Sequence, residues 1–297
     1  MQISPGPHIR APYAAAGIMW LVAFSLLFPS GAAVYFFGIP ALILIIVTVV
    51  AAVIGEAAFR WLAKMPMTIR DGSAVVTGIL LALIVPPTLP LWMAAVGALI
   101  AIVMVKGLFG GLGFNIFNPA LAARALLLAS WPVAMTTWTR PFDAVTTATP
   151  LFVVNKLHQA APGYLDLFLG NRAGSLGETS VLAILIGAAL LLLLGIIDLS
   201  TPVAYIGTVA LLTALLGHDP LFGILSGGLM IGAFFMATDY VTAPVTTRGR
   251  LIFGIGCGIM TVLIRYFGGF PEGVNYSILF MNMLTPVIDK YSRPRLF

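Results

Sequence analysis

Apolar residues run along this chain in long blocks rather than in alternation, and polar positions collect in the short gaps between them. A membrane-spanning helix needs about 20 mainly apolar residues. On that scale the blocks predict helices over 13–29, 33–54, 72–87, 90–106, 117–135, 180–197, 201–217, 220–238, 250–267 and 274–288. Several are short or interrupted. Pro86-Pro87 closes the third, and Pro119 opens the fifth. Such breaks are tolerated where neighbouring helices re-satisfy the backbone. The pattern predicts an all-α polytopic membrane protein with about ten transmembrane helices.

Composition narrows the solvent to lipid. Sixty per cent of the 297 residues are hydrophobic and 8% are charged, against roughly 25% charged in a soluble domain. Mean hydropathy is +1.07. A water-soluble body of this make-up would expose large apolar patches and aggregate. The net charge of +5 is spread between apolar blocks rather than gathered on one face, which argues against a nucleic-acid partner. The cations instead read as topology determinants. With a cytoplasmic N-terminus, Arg10, Arg60, Lys64, Arg70, Lys106, Arg248, Arg250, Lys290, Arg293 and Arg295 fall inside, and Arg140, Lys156, Arg172 and Arg265 fall outside. Arg124 lies within a helix. This bias predicts both termini in the cytoplasm and an even helix number. The N-terminal stretch Met1–Pro12 is polar and Pro-rich, unlike a cleaved leader.

Residues 136–179 form the one long connection, expected outside the cell, and they divide the chain into an N-terminal unit (1–135) and a C-terminal unit (180–297). Long connections in compact proteins are usually functional or disordered. The two units resemble each other. Lys106-Gly107-Leu108-Phe109-Gly110-Gly111, then Gly113 and Asn115, is echoed by Arg265-Tyr266-Phe267-Gly268-Gly269, then Gly273 and Asn275. The expected segments put an odd number of helices between the Phe-Gly-Gly elements, which places them on opposite sides of the membrane. That is the mark of two five-helix inverted repeats, with sites expected at their interface.

Few residues carry chemistry. Cys257 stands alone in an apolar run and reads as a small core residue; it allows neither an intrachain disulfide nor a Cys-ligated metal centre. His8, His158 and His218 lack metal-ligand spacing. Ionisable residues in membrane segments are costly and often functional; here they are Glu56, Arg124, Asp239 and Arg265. Glu56 and Arg60 are one turn apart, which suits a surface ion pair. Asp239 reads equally as a cap or as a group for ion coupling. In the long connection, Asp143-Ala144-Val145-Thr146-Thr147-Ala148-Thr149-Pro150 is on composition a polar turn, with Asp143 placed for an Asx-turn. Arg140 precedes it by three residues. Trp131, Trp138 and Phe142 suit interface anchoring, or stacking on an aromatic ligand.

The order of those residues says more. Asp143, Thr146, Ala148 and Thr149 resemble the flavinylation sequence D-x-x-[ST]-G-A-T, with Thr147 where Gly is usual. Further matches run the length of the chain. They include Ser4-Pro5-Gly6-Pro7-His8-Ile9-Arg10, Gly113-Phe114-Asn115-Ile116-Phe117-Asn118-Pro119-Ala120-Leu121, Met236-Ala237-Thr238-Asp239, Pro244-Val245-Thr246, Phe267-Gly268-Gly269-Phe270-Pro271-Glu272-Gly273 and Asn282. Together they resemble the NqrB/RnfD family, and the compact length favours its RnfD branch, from the Rnf complex, over NqrB. The resemblance implies a urea-transporter-like fold of two five-helix inverted repeats. It also implies FMN held covalently through a phosphoester on Thr149, and a second, noncovalent flavin, riboflavin. It implies service as the flavin-bearing membrane subunit of a complex that couples electron transfer between ferredoxin and NAD to Na⁺ or H⁺ translocation. The partners expected are the other Rnf subunits, membrane lipid and a flavin transferase. The expected location is a bacterial or archaeal cell membrane with the flavin loop outside. On the same resemblance Arg140 is a candidate for the flavin phosphate. No G-x-G-x-x-G follows a strand, so NAD is expected to bind elsewhere in the complex. Two other classes remain open at this point: a channel for a small neutral solute, suggested by the urea-transporter-like repeat, and a helical scaffold without chemistry.

Overall fold

The computed structural model describes residues 15–142, 145–157, 163–268 and 273–292. They form helices joined by short connections, with one two-residue pair of strands. Helices α1 (Ala15–Ser25) and α2 (Leu27–Phe37) are nearly continuous, and α3 covers Ile39–Leu62. The sequence divides its first two expected blocks at residues 30–32, which lie inside α2. The stop is at Gly38 instead, whose φ of +71° suits glycine. Ser30 Oγ–H donates back to Leu26 O at 2.7 Å, inside the helix.

Next come α4 (Ser73–Ile84) and α5 (Leu91–Leu99), the latter running on as a π-helical stretch, Ile100–Gly107. The Phe-Gly-Gly turn follows, with positive φ at Gly110, Gly111 and Gly113, a path that bars Cβ-bearing residues. The block expected over 117–135 is two helices, α6 (Pro119–Ser130) and α7 (Pro132–Thr136), because Pro132 starts afresh. Beyond lie strands β1 (Trp138–Thr139) and β2 (Thr146–Thr147), then α8 (Pro150–Leu157) and α9 (Tyr164–Leu169).

The second half holds α10 (Val181–Leu193), α11 (Ser200–Leu215), α12 (Pro220–Leu225), α13 (Leu229–Ile231) with a π-helical extension Gly232–Met236, α14 (Thr247–Phe267) and α15 (Val274–Ser292). The block expected as one helix over 220–238 is thus broken at Ser226-Gly227-Gly228, where Gly227 has φ +66°. Among the described residues three helices, Ala15–Phe37, Ile39–Leu62 and Thr247–Phe267, are long and apolar enough to cross a membrane by length and composition. Five more apolar helices are shorter. Large apolar side chains such as Ile39, Ile54, Leu193 and Leu211 stand exposed along them, as lipid-facing positions would.

Small residues let the helices approach. Gly254 and Gly258 sit one turn apart on α14 against α11. A Cβ at Gly254 would lie 2.7 Å from Thr201 O, and one at Gly258 would lie 2.6 Å from Thr208 Cβ. This is the small-residue contact by which membrane helices associate. The same helices are tied to α15 by three buried hydroxyls: Tyr205 to Thr261 at 2.6 Å, Tyr205 to Ser277 at 2.9 Å, and Thr261 to Ser277 at 2.8 Å. Cys257 is fully buried beside them, as expected of a core residue. Gly254→Val is expected to destabilise the fold by about 1–3 kcal/mol through overpacking. A thiol-reactive dye reports it by modifying Cys257, the only cysteine, at lower temperature than in wild type.

Candidate functional site

The chain's candidate chemistry lies at two ends of α3. Phe142 N–H donates to Phe36 O at 3.1 Å, just before α3 begins. Glu56 lies 18 residues beyond Gly38, which is about 27 Å along a helix.

At the first end, the motif segment folds back as a hairpin. Trp138 pairs with Thr147 and Thr139 with Thr146, and Arg140 N–H donates to Val145 O at 2.9 Å. Asp143 lies outside the described residues. Thr146 and Ala148 are exposed, whereas Thr149 is 4% exposed. Its Oγ1 accepts from Phe152 N–H at 3.3 Å, so the hydroxyl caps α8, with Pro150 as the first helical residue. The segment is therefore more closed than an exposed polar turn. Leu151, 1% exposed, packs with Leu167 and Phe222 and lies 2.7 Å from where a Cβ of Gly227 would stand. The motif thereby rests on the break between α12 and α13. On the α9 side, Tyr164 O–H donates to Asp219 Oδ2 at 2.5 Å. That hydrogen bond raises the Tyr164 pKa above its usual value, and Asp219 in turn caps α12 through Leu221 N–H and Phe222 N–H.

Arg140 is exposed and lines a cleft with Tyr35, Phe36 and Phe142. The three rings meet edge-on at centroid distances of 5.2–5.7 Å. Tyr35 and Phe36 sit more than a hundred residues from the motif, and nothing in their spacing points to it. Trp138 is buried, and Trp131 packs edge-on against Trp92 at 5.3 Å.

At the second end, the sequence expectation of a Glu56–Arg60 surface pair is corrected. Both side chains are at least nine-tenths buried, with Arg60 Nε 3.4 Å from Glu56 Oε1. Lys106 Nζ–H donates to the same oxygen at 2.9 Å and to Ser73 Oγ at 2.6 Å, and Thr68 O–H donates to Glu56 at 2.8 Å. Sequence reasoning passes over Lys106 as a flanking charge. Its partner Glu56 is fifty residues away on a neighbouring helix, a relation that no local pattern carries.

Beside this network is a pocket with apolar walls, Val76, Leu80, Phe234 and Phe235 among them, and polar groups that include Lys106, Asn115, Asn118 and Asp239. Asn118 Oδ1 caps α6 by accepting from Ala120 N–H and Leu121 N–H. Its own N–H donates to Asn282 Oδ1 at 3.3 Å, and Asn282 Nδ2–H donates to Thr242 O. Asp239 accepts from Val241 N–H and Thr242 O–H, each at 3.3 Å, and so does cap a turn. The run Gly113–Leu121 and the motifs at Asp239 and Asn282 are thus brought together from both halves of the chain. Arg124 is buried on α6, and Arg265 is buried on α14 near the first end. Among the described residues no cluster of His, Cys, Asp or Glu could hold a metal ion.

Long apolar helices with large apolar side chains standing exposed along them define a helical membrane protein. The sequence matches the model of the NQR2, RnfD, RnfE family over residues 2–297, and the chain belongs to that family. It is 47% identical to the D subunit of the Na(+)-translocating ferredoxin:NAD(+) oxidoreductase complex of Acetobacterium woodii, across 100% of this chain and 95% of that one. It is also 47% identical to the D subunit of the proton-translocating ferredoxin:NAD(+) oxidoreductase complex of Clostridium ljungdahlii, across 98% and 94%. The D subunit of the ion-translocating oxidoreductase complex of Stutzerimonas stutzeri is 40% identical, across 94% and 91%.

Proposed function

We propose that this chain is the flavin-carrying membrane subunit of an Rnf-type complex, in which electron transfer between ferredoxin and NAD drives Na⁺ or H⁺ across a cell membrane. The observation that carries the reading is similarity from end to end to the D subunits of such complexes. The solute-channel alternative finds no support among these relatives. The two at 47% identity are named for different cations, so identity does not choose between Na⁺ and H⁺. As one subunit, the chain acts with the other Rnf subunits.

Two five-helix inverted repeats in the urea-transporter manner are part of the proposal. Support comes from parallel packing: α3 against α4 and α5 in the first half, and α11 against α12 and α14 in the second. Both termini are placed in the cytoplasm, the Thr149 end outside, and the Lys106 end inside.

Thr149 is the proposed bearer of FMN. Its hydroxyl is already directed at the start of α8, where unpaired backbone N–H groups favour an anion, and a phosphoester oxygen there would keep the capping position. Because Thr149 is nearly enclosed, it must turn outward to meet a flavin transferase. Arg140, on the same hairpin, is free in solvent to meet phosphate or ring. Asp143, Thr146 and Ala148 complete the motif that the transferase reads. A second, noncovalent flavin, riboflavin, belongs to the same proposal. Bound flavin supplies one- and two-electron transfer; the protein supplies position and electrostatics.

Inverted membrane vesicles test the function. With reduced ferredoxin and NAD⁺, vesicles containing the chain should form NADH and take up Na⁺ or acidify. Vesicles from a strain lacking it should do neither, and the purified chain in liposomes should pass no urea. Undiminished NADH formation and ion uptake without the chain would sink the reading.

A further inference from the structure

The cleft at the Arg140 end has room for a ring. It offers about 340 Å³, against about 70 Å³ in the pocket beside Lys106, and small-molecule sites begin at about 300 Å³. Tyr35 and Phe142 in its wall are 72% and 65% exposed, and Phe36 is half-buried between the helix and the motif loop. Phe142 holds a φ of +67°, which is uncommon for any side chain and an outlier for a bulky one. Its N–H donates to Phe36 O, which pins the strained residue where its ring meets Tyr35 and Phe36. An interface anchor needs no such strain. Trp and Tyr serve that purpose with a polar tip, which Phe lacks. Strain of this kind is kept where a ligand is clamped.

We infer that this cleft is the seat of the isoalloxazine ring carried on Thr149, with Tyr35 and Phe142 against the ring and Arg140 at its polar edge. The inference rests on the reading of Thr149 as the bearer of FMN. The hairpin supplies the reach. Thr139 lines the cleft and pairs with Thr146. From Thr146 to Thr149 is about 10 Å of extended chain, a span that the ribityl arm and the length of the ring cover together. The ring is flat, with apolar faces and carbonyl oxygens along its pyrimidine edge. Aromatic side chains match the faces. Arg140, exposed in the same cleft, carries donors for the carbonyl edge. Tether and seat lie on one hairpin, so the attached ring stands beside the cleft at high effective concentration.

The test is fluorescence of the covalent flavin on the purified full chain in detergent, native and then denatured, for wild type, Tyr35→Phe and Phe142→Gly. The Thr149→Ala chain, which carries no tether, supplies the background. A phenol beside an excited flavin quenches it by electron donation, and a phenyl ring does not. Native wild type should therefore be several-fold dimmer than the denatured chain. Tyr35→Phe should recover most of that loss at unchanged anisotropy. Glycine suits the backbone at Phe142, so Phe142→Gly should keep the fold and release the ring. Its anisotropy should fall to about half the wild-type value as the ring swings on its tether within nanoseconds. Fluorescence of each denatured chain reports how much flavin was attached. With equal attachment, wild-type brightness in Tyr35→Phe and wild-type anisotropy in Phe142→Gly overturn the inference and leave Thr149 as the bearer. If Phe142→Gly takes no flavin, the brightness of Tyr35→Phe decides alone. A denatured wild-type chain without covalent flavin would remove the Thr149 reading and this inference together.

Discussion

Thr149→Ala should abolish covalent flavin on this chain, reducing ultraviolet fluorescence of the denatured band to background. The neighbouring hydroxyls are poor substitutes. Thr146 is exposed in β2, paired with Thr139, and Thr147 Oγ1 is buried without a partner. Neither begins a helix, where backbone N–H groups would receive a phosphoester. Thr149→Ser should retain attachment, because serine keeps both the nucleophilic oxygen and the capping position. The alanine variant also loses the cap on α8, at about 1 kcal/mol, too little to unfold the chain. Loss of flavin would therefore report chemistry rather than collapse. Mass spectrometry of the peptide spanning β2 and α8 should find the FMN adduct in wild type and in the serine variant only. Equal fluorescence in wild type and Thr149→Ala would place the flavin on another residue.

Much of the fold was legible because a membrane simplifies the code: helices must satisfy their own backbone, and long apolar blocks mark them. Where the reading slipped, the local pattern misplaced or missed a break. The blocks 13–29 and 33–54 divide at residues 30–32, yet these lie inside α2, and the chain turns at Gly38 instead. The block over 220–238 reads as one helix, yet it breaks at Ser226-Gly227-Gly228, where Leu151 from the motif helix and Arg265 from α14 close in. Candidate site residues were legible as motifs, not as a constellation. Asn118 and Asn282 meet across 164 residues, and no spacing announces that. The charges were least legible. Arg60, Lys106, Arg172 and Arg265 count towards topology as flanking cations, yet each is buried. A residue that helps orient a chain during insertion can finish inside the protein, where its task is to satisfy backbone or balance a carboxylate.

Arg265 makes that point measurable. It is 1% exposed, and NH1–H donates to Gly223 O at 2.7 Å and NH2–H to Ser226 O at 3.1 Å. Both carbonyls belong to the last turn of α12 or to the break after it, where no intrahelical donor arrives. A guanidinium reaches two carbonyls at once by its planar fork, which an ammonium cannot reproduce. Arg265→Leu would leave both acceptors buried and bare, at about 1–3 kcal/mol each. It should lower stability by about 3–5 kcal/mol in all, with Arg265→Lys intermediate. Cys257, fully buried eight residues earlier on α14, is the built-in reporter: in detergent, its modification by a thiol-reactive dye should begin at a temperature several degrees lower. The same substitution should also reduce flavin on an intact Thr149, because Arg265 and Leu151 border the same glycine, Gly227. The break after α12 is thus a shared foundation, on which the outer motif helix rests and which two buried cations hold, Arg265 and Arg172, the latter donating through NH1–H to Leu225 O. An Arg265→Leu chain that melted with wild type and carried full flavin would mean that the break and the motif helix resting on it do not depend on Arg265.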